Sequence, residues 1–117
     1  MAPRNHAIVV TSPGQASVQD VSIPKLRDDY IIVKVKAISV QPTEWKHIDY
    51  WGEPGVRLGC DYAGMVEEVG PKVTKPFTKG NRVFGFVHGG NGVCHEDGAF
   101  ANYIAAKGDV QLEIPDK

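Results

Sequence analysis

The sequence predicts a mainly β domain, a partly open β-barrel with one or two short helices. Several short apolar stretches are separated by turn residues, and only one stretch has helical spacing. The 13 glycines and 8 prolines are spread singly along the chain, as in a turn-rich β domain. Residues 30–38 alternate Val33 and Val35 with Lys34 and Lys36, which is the pattern of a half-buried strand.

The other strands follow from apolar runs that end at glycine or proline. The predicted strands cover residues 7–10, 16–23, 30–38, 62–69, 82–87, 99–106 and 110–114. Residues 42–50 are the helix candidate, because Pro42 suits an early helical position and Glu44 favours the first turn. Trp45, Ile48 and Trp51 fall at helical spacing and are expected to pack inward. The expected core contains Val33, Val35, Val66, Val69, Val83 and Ile104.

Composition excludes several functional classes. The formal net charge of -1, with scattered Lys and Arg, gives no electrostatic case for nucleic acid or an anionic membrane surface. No apolar run is long enough to span a bilayer, and the first six residues lack the apolar centre of a secretory signal. With Cys60 and Cys94 as the only cysteines, a disulfide framework is not expected and a cytoplasmic location fits best.

Five short motifs carry a family resemblance. They are QPTEWK at 41–46, GCDYAG at 59–64, VEEVG at 66–70, FTKGNRV at 77–83 and FVHGGN at 86–91. Together they resemble the zinc-independent branch of the medium-chain dehydrogenase/reductase superfamily, which includes quinone oxidoreductases and the fungal trans-acting enoyl reductases. Asn81 stands where that family usually has aspartate, and Gln41 and Glu44 also depart from its pattern.

The resemblance implies that residues 1–117 form the GroES-like domain of such an enzyme. In the family a Rossmann nucleotide-binding domain follows the segment at 114–116. That domain is expected to be absent from this chain, because the sequence has no G-x-G-x-x-G motif and too little length for two βαβαβ halves. The 117 residues alone are therefore expected neither to bind NADPH tightly nor to turn over substrate.

Thr43 and Lys46 are the candidate catalytic residues, and they are also expected to contact the nicotinamide end of NADPH. They lie three residues apart, hence on one helical face. A hydroxyl and an ammonium there would stabilise charge on a substrate carbonyl. The alternatives are that Thr43 only caps the helix and that Lys46 is a solvated surface lysine.

No metal site is expected. Gln41 stands where zinc members carry a ligating cysteine, and Cys60-Asp61 stand where they carry a His-Glu pair. Asp61 is expected to accept hydrogen bonds from the backbone or Arg57 and to form the floor of the cleft. The spacing of His88, Cys94 and His95 is only loosely metal-like, so these are expected to be loop residues. The glycine-rich loop at 89–92 is expected to be mobile.

Trp45, Tyr50, Trp51 and Asp61 are the candidate substrate-pocket residues, for an acyl chain or a quinone. The alternative for the aromatics is an ordinary core role, although the three cannot all lie on one helical face.

The predicted function is that of the substrate-side domain of a zinc-independent, NADPH-dependent oxidoreductase of secondary metabolism. Its substrate would be an enoyl thioester, free or carrier-bound, or a quinone. The expected partners are the missing Rossmann domain and a polyketide synthase, with no nucleic acid and no membrane. The alternative is a stand-alone GroES-like binding or regulatory module, or a truncated remnant without activity.

Overall fold

The computed structural model describes residues 4–115, which form two antiparallel sheets. The first sheet pairs β1 (Asn5–Ser12) with β2 (Gln15–Val21). The second contains β3 (Tyr30–Ser39), β4 (Asp61–Val69), β5 (Arg82–Phe86), β6 (Tyr103–Lys107) and β7 (Leu112–Glu113). Its strand order is β6-β3-β4-β5-β7. The mainly β prediction is confirmed.

The two sheets are open and do not close into one continuous barrel among residues 4–115. The first sheet is fastened to the rest by single bridges, Ala7 to Ala101 and Val9 to Arg57. Backbone hydrogen bonds add to them, including one of 3.0 Å from the Val10 N–H to the Val56 carbonyl. The barrel was predicted to be partly open, and in the structure its strands are divided between two separate sheets.

The predicted helix at 42–50 is present but changes type along its length. Helix α1 (Pro42–Lys46) is regular, and it continues as a π-helical turn, His47–Trp51. The Glu44 carboxylate accepts a hydrogen bond from the Gln41 backbone N–H and so satisfies a donor that the helix start leaves free. Within residues 4–115 no helix is long and apolar enough to cross a membrane.

Two predicted strands are shorter than expected. The run at 99–106 joins the sheet only from Tyr103, because Phe100 donates its N–H to the Leu58 carbonyl (2.9 Å) instead. The run at 110–114 pairs only over β7, after a 3-10 turn, Gly108–Val110. Apolar alternation marks most of 99–106 correctly as buried, whereas at 110–114 Val110 and Leu112 are 47% and 52% exposed and the buried residue is Gln111.

The core lies between the sheets, as the apolar pattern predicts. Val33, Val66, Val83 and Ile104 are at most 1% exposed, which confirms four of the six expected core positions. Val35 and Val69 are only half-buried and pack against the core from its edge. For Val35 the reason is a register shift between β3 and β4 immediately after it, which interrupts the alternation.

Gln111 is a fully buried polar residue that connects the second sheet to the segment that follows β6. Its Oε1 accepts a hydrogen bond from the Tyr62 hydroxyl (2.7 Å), and its Nε2 donates to the carbonyls of Phe86 (3.0 Å) and Lys107 (3.1 Å). Burial raises the pKa of Tyr62, so its hydroxyl remains a donor across the physiological range. One amide thus binds groups of three different strands.

Replacing Gln111 with leucine should destabilise the domain by roughly 3 kcal/mol, because it removes three hydrogen bonds and takes the acceptor from the buried Tyr62 hydroxyl. Urea denaturation measures the change in free energy of unfolding. Gln19→Leu on the exposed face of β2 is the matched control and should stay within about 0.5 kcal/mol of the parent. Equal effects of the two substitutions would contradict this role for Gln111.

Candidate functional site

The candidate site is organised by a turn at residues 57–60. Gly59 has a φ of +101°, and a Cβ atom there would lie 2.6 Å from the Phe100 backbone nitrogen. On the other side, a Cβ on Gly89 would lie 2.2 Å from the Gly59 carbonyl oxygen. Three chain segments therefore meet backbone to backbone, which only glycine permits. This contact places Cys60 and Asp61 at the start of β4.

Asp61 is held by Gln41 at the N-terminal end of α1. The Gln41 Nε2 donates to Asp61 Oδ2 over 2.8 Å and also lies 3.0 Å from Ser39 Oγ. The expectation that Arg57 would serve Asp61 is wrong, since the Arg57 Nη2 contacts Ser22 Oγ at 3.5 Å. Two of the positions that resemble metal-ligand positions are therefore bonded to each other through an amide and a carboxylate.

A second polar group, which the sequence analysis did not assign to the site, is Glu44. Its side chain is 4% exposed, and its Oε1 accepts a hydrogen bond of 3.3 Å from the Thr43 hydroxyl. The signal for it was the acid three residues after Gln41, which is the spacing of a helix capping box.

Cys60 lies next to this pair. Burial raises the pKa of the Cys60 thiol, and the negative charge of Glu44 adds to the rise, although hydrogen bonds from Gly89 and Thr43 partly oppose it. The thiol therefore stays protonated at neutral pH in the absence of a metal, so Cys60 is a neutral group at the wall of the site rather than a thiolate nucleophile.

The aromatic candidates surround Lys46 at the surface. The Lys46 ammonium lies 5.7 Å from the Trp45 ring centroid and 5.9 Å from that of Trp51, and Trp45 meets Tyr50 edge to face. Trp45, Tyr50 and Trp51 are 50%, 73% and 61% exposed, so they do not belong to the core.

The inward packing expected of Trp45 and Trp51 is wrong. Glu44 and Ile48, four residues apart, lie on the inward face of the helix. Trp45 follows Glu44 directly and therefore points in a different direction. Thr43 is exposed and Lys46 half-buried, in the second and last positions of one short helix. Their catalytic and cofactor roles, and the pocket role of the aromatics and Asp61, stay predictions.

The glycine loop after β5 is anchored rather than free. The Gly90 N–H donates to the Arg57 carbonyl over 2.7 Å, and a Cβ on Gly90 would lie 2.4 Å from the His47 ring. His95 points elsewhere, with its Nε2 3.9 Å from a Glu53 carboxylate oxygen. Among residues 4–115 no three His, Cys, Asp or Glu side chains converge as a metal site would require.

The sequence of this chain is similar to a known domain family and to several known proteins. The sequence profile described as "Alcohol dehydrogenase GroES-like domain" matches residues 27–116. The chain is 55% identical over 111 residues to the trans-enoyl reductase resD of Aspergillus sclerotiorum, covering 94% of this chain and 31% of that protein. It is 56% identical over 111 residues to the trans-enoyl reductase TOXD of Cochliobolus carbonum, covering 94% and 37%.

Solved structures of other proteins share the fold of this chain. The quinone oxidoreductase from Coxiella burnetii superposes with a TM-score of 0.79 at 23% identity, over 97% of this chain and 38% of that one. The chain thus spans about a third of the length of the curated relatives it matches. The resemblance to fungal trans-acting enoyl reductases is confirmed.

The Gly90 contact gives a stability prediction. Gly90→Ala should cost roughly 2–4 kcal/mol, because it combines strain at a φ of +68° with a clash against the His47 ring. Gly80→Ala is the control, since its φ of +94° imposes the strain while nothing lies within 4 Å of the added Cβ. It should cost only about 1–2 kcal/mol in urea denaturation. A smaller loss at Gly90 than at Gly80 would show that the loop does not pack on His47.

Proposed function

The chain belongs to the alcohol dehydrogenase GroES-like domain family of the medium-chain dehydrogenase/reductase superfamily, and from this premise we propose that it is the substrate-side domain of an oxidoreductase. The proposed reaction is the NADPH-dependent, zinc-independent reduction of an activated C=C bond in an enoyl thioester, or of a quinone. The names of the relatives, trans-enoyl reductases and a quinone oxidoreductase, support this class of reaction.

The observation that carries the proposal is the 2.8 Å hydrogen bond between the Gln41 amide and the Asp61 carboxylate. A neutral amide is a poor zinc ligand compared with a thiolate or an imidazole. Burial raises the pKa of the neighbouring Cys60 thiol, so without a bound metal it adds no negative charge to this pair at neutral pH. The site therefore offers hydrogen-bond donors, not a Lewis acid, to a substrate carbonyl.

Thr43 and Lys46 fit the nicotinamide end of NADPH, because they present a hydroxyl and an ammonium at the accessible surface of one short helix. When bound, NADPH supplies a hydride to the β-carbon of the activated double bond. Lys46 and Thr43 donate hydrogen bonds to the substrate carbonyl oxygen, where negative charge develops. The α-carbon then takes up a proton. The pyrophosphate needs a glycine-rich turn at a helix N-terminus, and no such motif is in this sequence.

Trp45, Tyr50 and Trp51 supply the apolar surface of the proposed substrate site. Their rings are half or more exposed and lie around Lys46, so an acyl chain or quinone ring bound there would bury aromatic area beside the ammonium. Asp61, held by Gln41, forms the polar floor. A carrier-bound enoyl thioester, delivered by a polyketide synthase, is the proposed natural substrate in a soluble compartment such as the cytoplasm.

A second candidate is a stand-alone binding or regulatory module. The two candidates differ in what Thr43 and Lys46 do, since a module needs neither for chemistry.

The test restores full length by placing this chain in the position of the matching third of the Aspergillus sclerotiorum trans-enoyl reductase. In that chimera Thr43→Val and Lys46→Ala should each lower kcat/KM for an enoyl thioester roughly a hundredfold, because each removes a donor to a developing oxyanion. NADPH oxidation, followed by absorbance, measures the rate.

Thr11→Val and Lys72→Ala, both at exposed positions outside the site, are the matched controls and should leave the rate unchanged. Full activity in both site variants would show that Thr43 only caps the helix and that Lys46 is a solvated surface lysine.

The 117-residue chain alone, titrated with NADPH by calorimetry, should show no tight binding. Micromolar binding with turnover from that chain would contradict the proposal that it contacts only the nicotinamide end of NADPH.

A further inference from the structure

Arg57 is a buried cation whose hydrogen bonds are incomplete. The residue is 7% exposed, and its Nη2 reaches the Ser22 Oγ at 3.5 Å. Its Nη1 has no hydrogen-bond partner within residues 4–115, and it is the only buried side-chain nitrogen or oxygen in that range without one. Because a guanidinium stays protonated in proteins, burial here leaves a charged donor without an acceptor.

The surroundings of Arg57 do not neutralise this charge. Burial lowers the pKa of the Arg57 guanidinium, and the negative charge of Glu96 offsets only part of that effect. Arg27, in contrast, pairs its guanidinium with the buried carboxylate of Asp97. A buried charge without a partner costs free energy. Arg57 therefore has the chemistry of a receptor for an anion that the other described residues do not provide.

Ser22, the residue that Arg57 contacts, lies at an accessible position. It is exposed and directly follows β2, at the start of a segment without regular secondary structure that runs through residue 27. Its carbonyl accepts a hydrogen bond from Asn5 Nδ2 over 3.2 Å, which holds its backbone beside β1. An enzyme can therefore reach Ser22 from solvent, while the Ser22 hydroxyl is already in contact with the buried guanidinium.

We propose that Ser22 is a phosphorylation site whose phosphate is held by Arg57. A protein serine kinase carries out the transfer: the Ser22 hydroxyl attacks the γ-phosphorus of MgATP, the Oγ–P bond forms and the bond to ADP breaks. The hydroxyl proton passes to the catalytic base of the kinase. The phosphate brings about 1.5–2 negative charges and three acceptor oxygens, one bond beyond Oγ. These oxygens can pair with Nη2 and with the free Nη1, in the bidentate geometry that a guanidinium offers to phosphate.

A phosphate on Ser22 fits this position better than a free anion does. A single arginine gives a free phosphate ion few contacts, and the negative charge of Glu96 acts on the same guanidinium. A phosphate attached to Ser22 is already within reach of Arg57, so it loses little translational freedom when the two groups pair.

Pairing at Ser22 would act on a residue that also anchors the candidate site. The Arg57 carbonyl accepts the Gly90 N–H over 2.7 Å, and the Arg57 N–H donates to the His95 carbonyl over 3.3 Å. Arg57 is also the first residue of the turn at 57–60. Phosphorylation would thus fasten the segment after β2 to this turn and to the glycine loop. The inference does not depend on the reaction proposed above.

Phosphorus NMR of chains with phosphoserine incorporated at one chosen position tests the pairing. The phosphate is placed on Ser22 or, as the matched control, on Ser17, which is exposed on β2. Each chain is made with Arg57 intact, with Arg57→Met and with Arg57→Lys. Arg57→Met keeps an apolar stem and removes the guanidinium, whereas Arg57→Lys keeps the charge without the planar fork.

With Arg57 intact, the second ionisation of the phosphate on Ser22 should have a midpoint at least about 0.5 pH unit lower than with Arg57→Met, because the guanidinium stabilises the dianion. Arg57→Lys should give an intermediate midpoint, and it provides the comparison if the Arg57→Met chain does not fold. The phosphate on Ser17 should have the same midpoint in all three chains. Equal midpoints on Ser22 with and without the guanidinium would overturn the proposal.

Production of the chain in a fungal host, followed by phosphopeptide mass spectrometry, tests whether a kinase uses the site. The expected result is a phosphate on Ser22 that Ser22→Ala removes. Recovery of Ser22 only in its unmodified form would contradict its assignment as a modification site. A shift of the Arg57 side-chain NMR signals when inorganic phosphate is added to the unmodified chain would also contradict it, because a free anion would then be the ligand.

Discussion

The site depends on the close crossing of three chain segments at Gly59. The turn at 57–60 is held on one side by Phe100, whose N–H bonds to the Leu58 carbonyl, and on the other by Gly89. Because no side chain separates these backbones, the turn delivers Cys60 and Asp61 directly to the first residues of β4. There Asp61 meets Gln41, and Cys60 meets Thr43 and Glu44. The positions of Cys60 and Asp61 therefore depend on a close approach of backbones that only glycine allows.

Local patterns predicted the strands well where a strand is paired along its whole length. Residues 30–38 correspond closely to β3, and residues 62–69 to β4, because alternation reports burial on one side of a sheet. The run at 99–106 was predicted too long, since Phe100 is buried by backbone contacts with Leu58 rather than by a strand partner. Gln111 could not be predicted as a buried hub, because its three partners come from β4, β5 and β6.

Within the site, residue identities were more predictable than arrangements. The sequence motif placed Gln41, Cys60 and Asp61 at positions that resemble metal-ligand positions, but not the hydrogen bond that joins Gln41 to Asp61. Trp45 was expected in the core because its spacing from Ile48 is helical, whereas Glu44 occupies the inward face. A single-sequence pattern cannot decide which of two adjacent residues faces inward when the buried one is a carboxylate that caps its own helix.

We propose that the Gln41–Asp61 amide–carboxylate pair stands in place of a metal site and that side-chain donors polarise the substrate carbonyl. Zinc content and chelator sensitivity of the full-length chimera test this most directly, with elemental analysis beside NADPH-dependent enoyl reduction before and after dialysis against a strong chelator. We expect substoichiometric zinc and an unchanged rate, because Gln41 and Asp61 are already bonded to each other. One zinc per chain that is removed together with the activity would contradict it.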